Sequence, residues 1–309
     1  MPVLPRNASE PLPAPTLLVR GVHHRVTGTL VMGVVNASPE SFSDRGRYAA
    51  LPQQLELAAA LVEAGADVID VGGQSAITNQ PELDPQVEAE RVAPIVEWLT
   101  THHPHVWVSV DTYKPLVVDT VLDAGAAIIN DVSGLLYPEV VDSCVRHGAA
   151  LVVMHTRARP KQRLQDPGLY DDVTADVVEF LTERTDVAVR RGLPRESVVL
   201  DPGPDFAKTP HQTVAMLRRL DEVRALGRPL LLALSRKDFL GAITGRSPRG
   251  RDAATHAAIA HLAASGGSIV RVHDVAAARD VVATVETLQG LREVPADYLL
   301  PDAIRHERR

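Results

Sequence analysis

The chain has 309 residues, 45% of them hydrophobic, 23% charged and 4% aromatic, a length that suits one large domain or two medium ones. Lys plus Arg number 32 against 39 for Asp plus Glu, and a formal net charge of −7 lacks the electrostatic footprint of a nucleic-acid binder. The single Cys144 excludes an intrachain disulfide, no apolar run is long enough to span a bilayer, and the proline-punctuated start MPVLPRNASEPLPAPT lacks the apolar core of a signal peptide, so a soluble cytoplasmic protein is expected.

Residues 1–16 read as a disordered Pro-rich arm, residues 17–290 as the folded domain, and residues 291–309 as a charged tail ending in RHERR. Leu17 to Thr27 is expected to form a small hairpin that plugs the bottom of the fold. From there a rhythm repeats, a short β-branched run followed by polar residues and then an Ala- and Leu-rich stretch with helical spacing. The short runs are Thr29 to Val35, Asp67 to Val71, Val106 to Val110, Ala126 to Asn130, Ala150 to Met154, Ser197 to Leu200, Pro229 to Leu234 and Ser268 to Val272. Helices are predicted over Leu51 to Ala64, Pro85 to Thr100, Pro115 to Ala124, Pro138 to His147, Val173 to Arg191, His211 to Ala225 and Ala253 to Ala264. Gly65, Gly125, Gly148, Gly192, Gly227 and Gly266 stand just before the next strand, where a left-handed helix cap needs glycine.

This alternation predicts an α/β fold, a single-domain TIM (β/α)8 barrel. A doubly wound open sheet is the alternative; it is disfavoured because no Gly-x-Gly-x-x-Gly follows the first strand and because polar residues recur after nearly every strand. In a barrel, residues leaving the C-terminal ends of the strands share one rim. Asp111, Asn130 and Asp201 fall there, two carboxylates and a carboxamide suited to the edge of an amino-bearing heterocycle. Lys237, Arg271 and His273 follow the seventh and eighth strands, where barrels commonly hold phosphate. Taken singly, an Asp ending a strand is often a helix cap and an Arg is usually a surface ion pair; gathered on one rim they are harder to dismiss.

Asn36 and Ser38 offer oxygens to a hard cation such as Mg²⁺, although a plain turn before Pro39 explains them equally well. The histidines His23, His24, His102, His103 and His105 lie in predicted connections away from the rim with no Cys spacing, and are read as exposed turns rather than zinc ligands. Cys144 reads as a buried or inert thiol, and Arg246 to Thr255 as a solvated basic connection whose Asp caps the next helix.

The ordered motifs GVVNASPESFSD, SVDTYKP, IINDVSG, VVMH, LDPGPDFAKT, LSRKDFLG and RVHDV resemble the successive strand-end motifs of the dihydropteroate synthases, from about Leu30 to Gln289. The resemblance implies that Asp111, Asn130, Asp201 and Lys237 hold a pterin ring, with Met154 and Phe206 in apolar contact. It implies Arg271, His273 and Asn36 for the pyrophosphate and its Mg²⁺, Ser235 for the p-aminobenzoate carboxylate, Lys237, Arg271 and His273 as the catalytic set, and a homodimer. The substrates it implies are a pterin pyrophosphate and p-aminobenzoate, joined in folate biosynthesis.

The second loop departs from the family's usual Gly-Gly-Glu-Ser-Thr-Arg-Pro-Gly, reading Gly72-Gly73-Gln74-Ser75-Ala76-Ile77-Thr78-Asn79, and Arg45 stands where the first loop mostly has Gly. An arginine that helps hold pyrophosphate is thereby missing, with Arg45, Arg47 and Arg157 as candidate substitutes. Two alternatives to an active synthase are a diverged paralogue that binds pterin without synthase activity and a pterin-dependent methyltransferase on the same barrel. The methyltransferase is disfavoured because the Ser-Arg-Lys and Arg-Val-His motifs look like the synthase set.

Overall fold

The computed structural model describes residues 13–37, 50–74 and 81–305. Ser38, Arg45, Arg47 and the Ser75 to Asn79 stretch lie outside the described residues, as does most of the Pro-rich arm. The chain opens with an antiparallel hairpin, β1 (Thr16–Val19) and β2 (Val22–Arg25). Eight parallel strands follow: β3 (Thr29–Asn36), β4 (Val68–Gly72), β5 (Trp107–Asp111), β6 (Ile128–Asp131), β7 (Ala150–Met154), β8 (Val198–Asp201), β9 (Leu230–Leu232) and β10 (Ser268–Val272). They close into a barrel in chain order, with β10 pairing β3. The predicted TIM barrel is therefore the fold.

The helices are α1 (Leu51–Glu63), α2 (Pro85–His102), α3 (Pro115–Asp123), α4 (Val140–His147), α5 (Val173–Arg190), α6 (Pro210–Arg218), α7 (Leu220–Arg224), α8 (Asp238–Thr244), α9 (Asp252–Ala263) and α10 (Val275–Leu288). Their starts are fixed by side-chain caps where the sequence provides them: Asp84 accepts from Gln86 N and Val87 N, Asp172 from Thr174 N and Ala175 N, and Asp274 from Ala277 N. All six glycines expected at helix ends have positive φ, between 63° and 102°. The predicted His211 to Ala225 helix is instead two, because the backbone leaves helical geometry at Arg219 (φ −115°), whose guanidinium pairs with Asp172 and Glu222. Two helices were not predicted, the short α8 and the Ala-rich α10.

Two apolar layers hold the barrel. Outward-facing strand residues such as Ile69, Val71, Ile129 and Leu151 pack under the helices. The inward-facing set, including Met32, Val68, Ile128, Val152, Val199, Leu231 and Ile269, fills the lower interior and meets Leu17, Val19 and Val26 of the hairpin. The hairpin is thus the bottom plug expected. Arg228 ties it down by donating to Thr16 O, Glu196 O (2.7 Å) and Val198 O (3.2 Å), and Val26 N donates to Pro15 O. Strand alternation then carries the upper interior from aliphatic to polar residues.

Among the described residues no helix is long and apolar enough to cross a membrane. Residues 291–305 are largely exposed, with one short 3₁₀ turn at Asp302–Ile304.

Candidate functional site

Period-two alternation brings Asp70 on β4, Ser109 and Asp111 on β5, Asn130 on β6 and Arg271 on β10 to the inside of the barrel. Cross-strand register sets Asp70 beside Ser109 and Asp111 beside Asn130. Asp70 is fully buried. Its Oδ1 accepts from Ser109 Oγ at 2.7 Å, and its Oδ2 accepts from Arg271 Nε at 2.6 Å and from Asn130 Nδ2 at 3.2 Å. Arg271 reaches on to Asp111 Oδ2 at 3.2 Å. Arg271, expected as a cation offered to an anion, is therefore already balanced by two carboxylates.

Asp111 shows what this crowding does. Burial pushes its carboxyl up to about 7, the Arg271 charge opposes the shift, and Asp70, Glu88 and Asp131 add to it. Asp201 ends β8 at 2% exposure, accepts from Gly203 N at 2.7 Å, and is raised to about 6 by burial. Asn36 ends β3 across Gly72 from Asp111: a Cβ at Gly72 would lie 3.8 Å from Asn36 Oδ1 and 3.7 Å from Asp111 Cβ. Met154 is buried at the end of β7, paired in register with Asp201.

The loop after β8 is shaped around Lys208, whose side chain is fully buried. Its Nζ donates to His155 Nδ1 at 2.7 Å, Gly203 O at 2.9 Å and Phe206 O at 3.2 Å, three acceptors for three N–H bonds. Two non-glycine residues of this loop, Asp205 (φ 64°) and Ala207 (φ 51°), are held in the left-handed region, at roughly 1–2 kcal/mol each. His155 is pushed down to about 4, chiefly by burial. A neutral ring fits both of its contacts, with Nδ1 accepting from Lys208 and Nε2–H donating to Asp176 Oδ1 at 2.8 Å. The loop presents Phe206, and Lys237 Nζ stands 4.2 Å above its ring centre. Burial lowers the Lys237 amine.

Two residues before Lys237, Ser235 Oγ meets His273 Nδ1 at 2.9 Å. Gln74, in the altered second loop, accepts from Leu83 N and from Lys114 Nζ (3.2 Å), and Lys114 pairs with buried Glu88 at 2.7 Å. All four lysines of the chain, Lys114, Lys161, Lys208 and Lys237, leave the C-terminal ends of barrel strands; every other one of the 32 basic residues is arginine.

Asp111, Asn130, Met154, Asp201, Phe206, Lys237 and Arg271 thus share the rim with Asn36, Ser235 and His273. His23 and His24 lie on β2, with His24 edge-on to Trp107 at 4.8 Å, because they form the exposed side of the plug rather than a turn. Arg251 in the basic connection is buried and donates to Arg236 O and Lys237 O, while Asp252 pairs with Arg236 (2.8 Å) instead of capping the helix. Arg157 is engaged by Asp176 at 2.7 Å. Cys144 is buried as expected, its thiol raised to about 12. The sequence reading passed over Asp70 as part of a strand and Lys208 as part of a motif; an acid on the inward parity of an otherwise β-branched strand was the available signal.

The model of the pterin binding enzymes matches residues 32–273. The chain belongs to the dihydropteroate synthase family. It is 37% identical over 262 residues to the dihydropteroate synthase of Synechocystis sp., covering 84% of this chain and 90% of that one. Against the Bacillus subtilis dihydropteroate synthase the identity is 38% over 248 residues, 80% of this chain and 84% of the relative. Among solved members of the dihydropteroate synthase family, the Yersinia pestis enzyme with a sulfonamide drug complex superposes with a TM-score of 0.83 at 33% identity, covering 90% of this chain and 100% of that chain. The Burkholderia cenocepacia enzyme complexed with 7,8-dihydropteroate gives a TM-score of 0.80 at 33% identity, covering 90% and 98%.

Proposed function

We propose that this chain is an active dihydropteroate synthase, condensing 6-hydroxymethyl-7,8-dihydropterin pyrophosphate with p-aminobenzoate to give 7,8-dihydropteroate and pyrophosphate. The observation that carries this reading is the convergence of Asp111, Asn130, Asp201, Lys237 and Arg271 at the ends of five strands, in a chain whose relatives carry that name. Asp111, Asn130 and Asp201 recognise the N–H edge of the pterin, and Met154 and Phe206 supply its apolar walls. Lys237, Arg271 and His273 are the catalytic set: the C–O bond to pyrophosphate breaks, its electron pair leaves with the phosphate oxygen, and these groups stabilise that growing charge. The arylamine nitrogen then bonds to the pterin methylene and releases a proton to the departing pyrophosphate or to water. Ser235, oriented by His273, faces the p-aminobenzoate carboxylate.

Asn36 fits a role in holding Mg²⁺, since its amide oxygen is a hard donor beside Asp111 and a cation of this kind completes its shell with substrate phosphates and water. When bound, the ion would neutralise leaving-group charge. The same proposal includes a cytoplasmic homodimer, checked by sedimentation of the purified protein, and residues 17–290 as the catalytic domain.

Purified protein with Mg²⁺ and both substrates is expected to release pyrophosphate; no turnover above blank at high substrate refutes synthase activity. The second reading, a paralogue that binds pterin without synthase activity, is favoured by Gln74 and Ile77 in the second loop, where the family usually has Glu and Arg. It predicts pterin binding by calorimetry together with failure to rescue a strain lacking the enzyme.

A further inference from the structure

Asp70 lies one layer below the rim and is joined to two rim residues 60 and 201 positions away in the chain. A carboxylate without a proton accepts only, so Asn130 must turn its Nδ2–H towards Asp70 and its Oδ1 the other way. That Oδ1 is buried and has no protein partner among the described residues. A buried polar atom left open at the floor of a recognition pocket points to a ligand group that completes it. Arg271 is constrained by the same carboxylate: Nε held at 2.6 Å and one terminal nitrogen on Asp111 fix the guanidinium plane. Ser109 Oγ at 2.7 Å occupies the other oxygen of Asp70 and prevents its rotation.

We propose that Asp70 is a positioning and specificity-determining residue: it orients Asn130 so that the pocket floor offers an acceptor to an amino-bearing heterocycle, and it sets the plane of Arg271 above that floor. The inference rests on the pterin-pocket reading given above. It selects a ring with an N–H donor at the floor over one with a carbonyl there, because an acceptor facing an acceptor leaves both unsatisfied.

The test uses calorimetry with two probes, 6-hydroxymethylpterin and its deaminated lumazine counterpart, which exchanges the amino donor for a carbonyl. Wild-type protein that binds neither probe would count against the pterin reading itself. If wild type prefers the pterin, Asp70→Ala removes the acceptor that turns the Asn130 amide N–H downward and frees the carboxamide to flip. The pterin-to-lumazine affinity ratio is then expected to fall by about tenfold, a change that a merely structural loss of packing would not produce. In an Asn130→Ala background the same substitution should leave the ratio unmoved, since the effect runs through that amide. An unchanged ratio in folded Asp70→Ala, or an equal fall in both backgrounds, overturns the assignment. Should Asp70→Ala not fold, Ser109→Ala decides: it removes one restraint on Asp70, so a smaller fall in the ratio supports the proposal and no fall overturns it.

Discussion

Replacing Lys208 with methionine keeps most of the side-chain volume and removes every donor. In the native loop one ammonium satisfies His155 Nδ1, Gly203 O and Phe206 O at 2.7, 2.9 and 3.2 Å. An unsatisfied buried acceptor costs about 1–3 kcal/mol, and removing a buried charge returns part of its desolvation penalty, so a net loss of about 3 kcal/mol is expected at pH 7. The pH dependence separates this cause from simple misfit. Burial lowers the Lys208 amine from its ordinary 10.5 to about 7, outweighing the attraction of Asp201 and Asp176. Between those values the unfolded chain binds a proton that the folded chain does not, so this group makes wild-type stability rise with pH from 7 towards 10.5, and the contribution is lost as pH falls through 7. Lys208→Met lacks that rise, and its deficit should widen from pH 7 to pH 9. Urea unfolding of both proteins followed by circular dichroism measures the difference directly. A deficit under about 1 kcal/mol, or one that stays constant across this range, would refute the assignment of Lys208 as the loop's buried hydrogen-bonding anchor.

Pterin affinity should also depend on pH through Asp201, whose raised carboxyl titrates near 6; if the carboxylate is the binding form, calorimetry should show about a tenfold loss between pH 7 and pH 5. Asp201→Asn should bind more weakly and with a flat profile, and a flat wild-type profile would remove the carboxylate from the account. Gly203 has φ 63°, and a Cβ there would collide with His155 O, so Gly203→Ala is expected to cost about 3 kcal/mol or more, or to prevent soluble expression. Lys114→Met strands the buried Glu88 carboxylate and should lower stability by about 3–5 kcal/mol, recovering when Glu88 is changed to Gln in the same chain. Thermal denaturation of the two variants with their parent checks both.

The barrel was legible in the sequence because its signal recurs along the chain: eight β-branched runs, polar residues at their ends, and six helices stopped by glycine. The rim was legible for a related reason, since closure brings strand ends together without knowledge of any side-chain contact. What escaped were features without such redundancy. The α8 helix spans only seven residues, and α10 has no following strand to mark its end. The break at Arg219 falls in a stretch with no Gly or Pro, so no local breaker announces it. Asp70 hid in VIDVG because one acid among four apolar residues scores as strand, and its meaning lies in partners on β6 and β10. Lys208 reads in sequence like any cation in a loop; that it faces inward follows from the carbonyls wrapped around it.

The confinement of all four lysines to strand-end loops has a practical side. An amine-directed acylating reagent finds no lysine on the helices, the plug or the barrel's lower face, so apart from the chain's own α-amino group every adduct reports on the rim. Lys208 is fully buried and Lys114 is 6% exposed, whereas Lys161 and Lys237 are half-buried, which ranks their expected labelling before any ligand is added. Mass spectrometry of limited acylation would then act as a footprint of the rim with almost no background. Protection of Lys237 by a pterin would locate the ligand without a crystal.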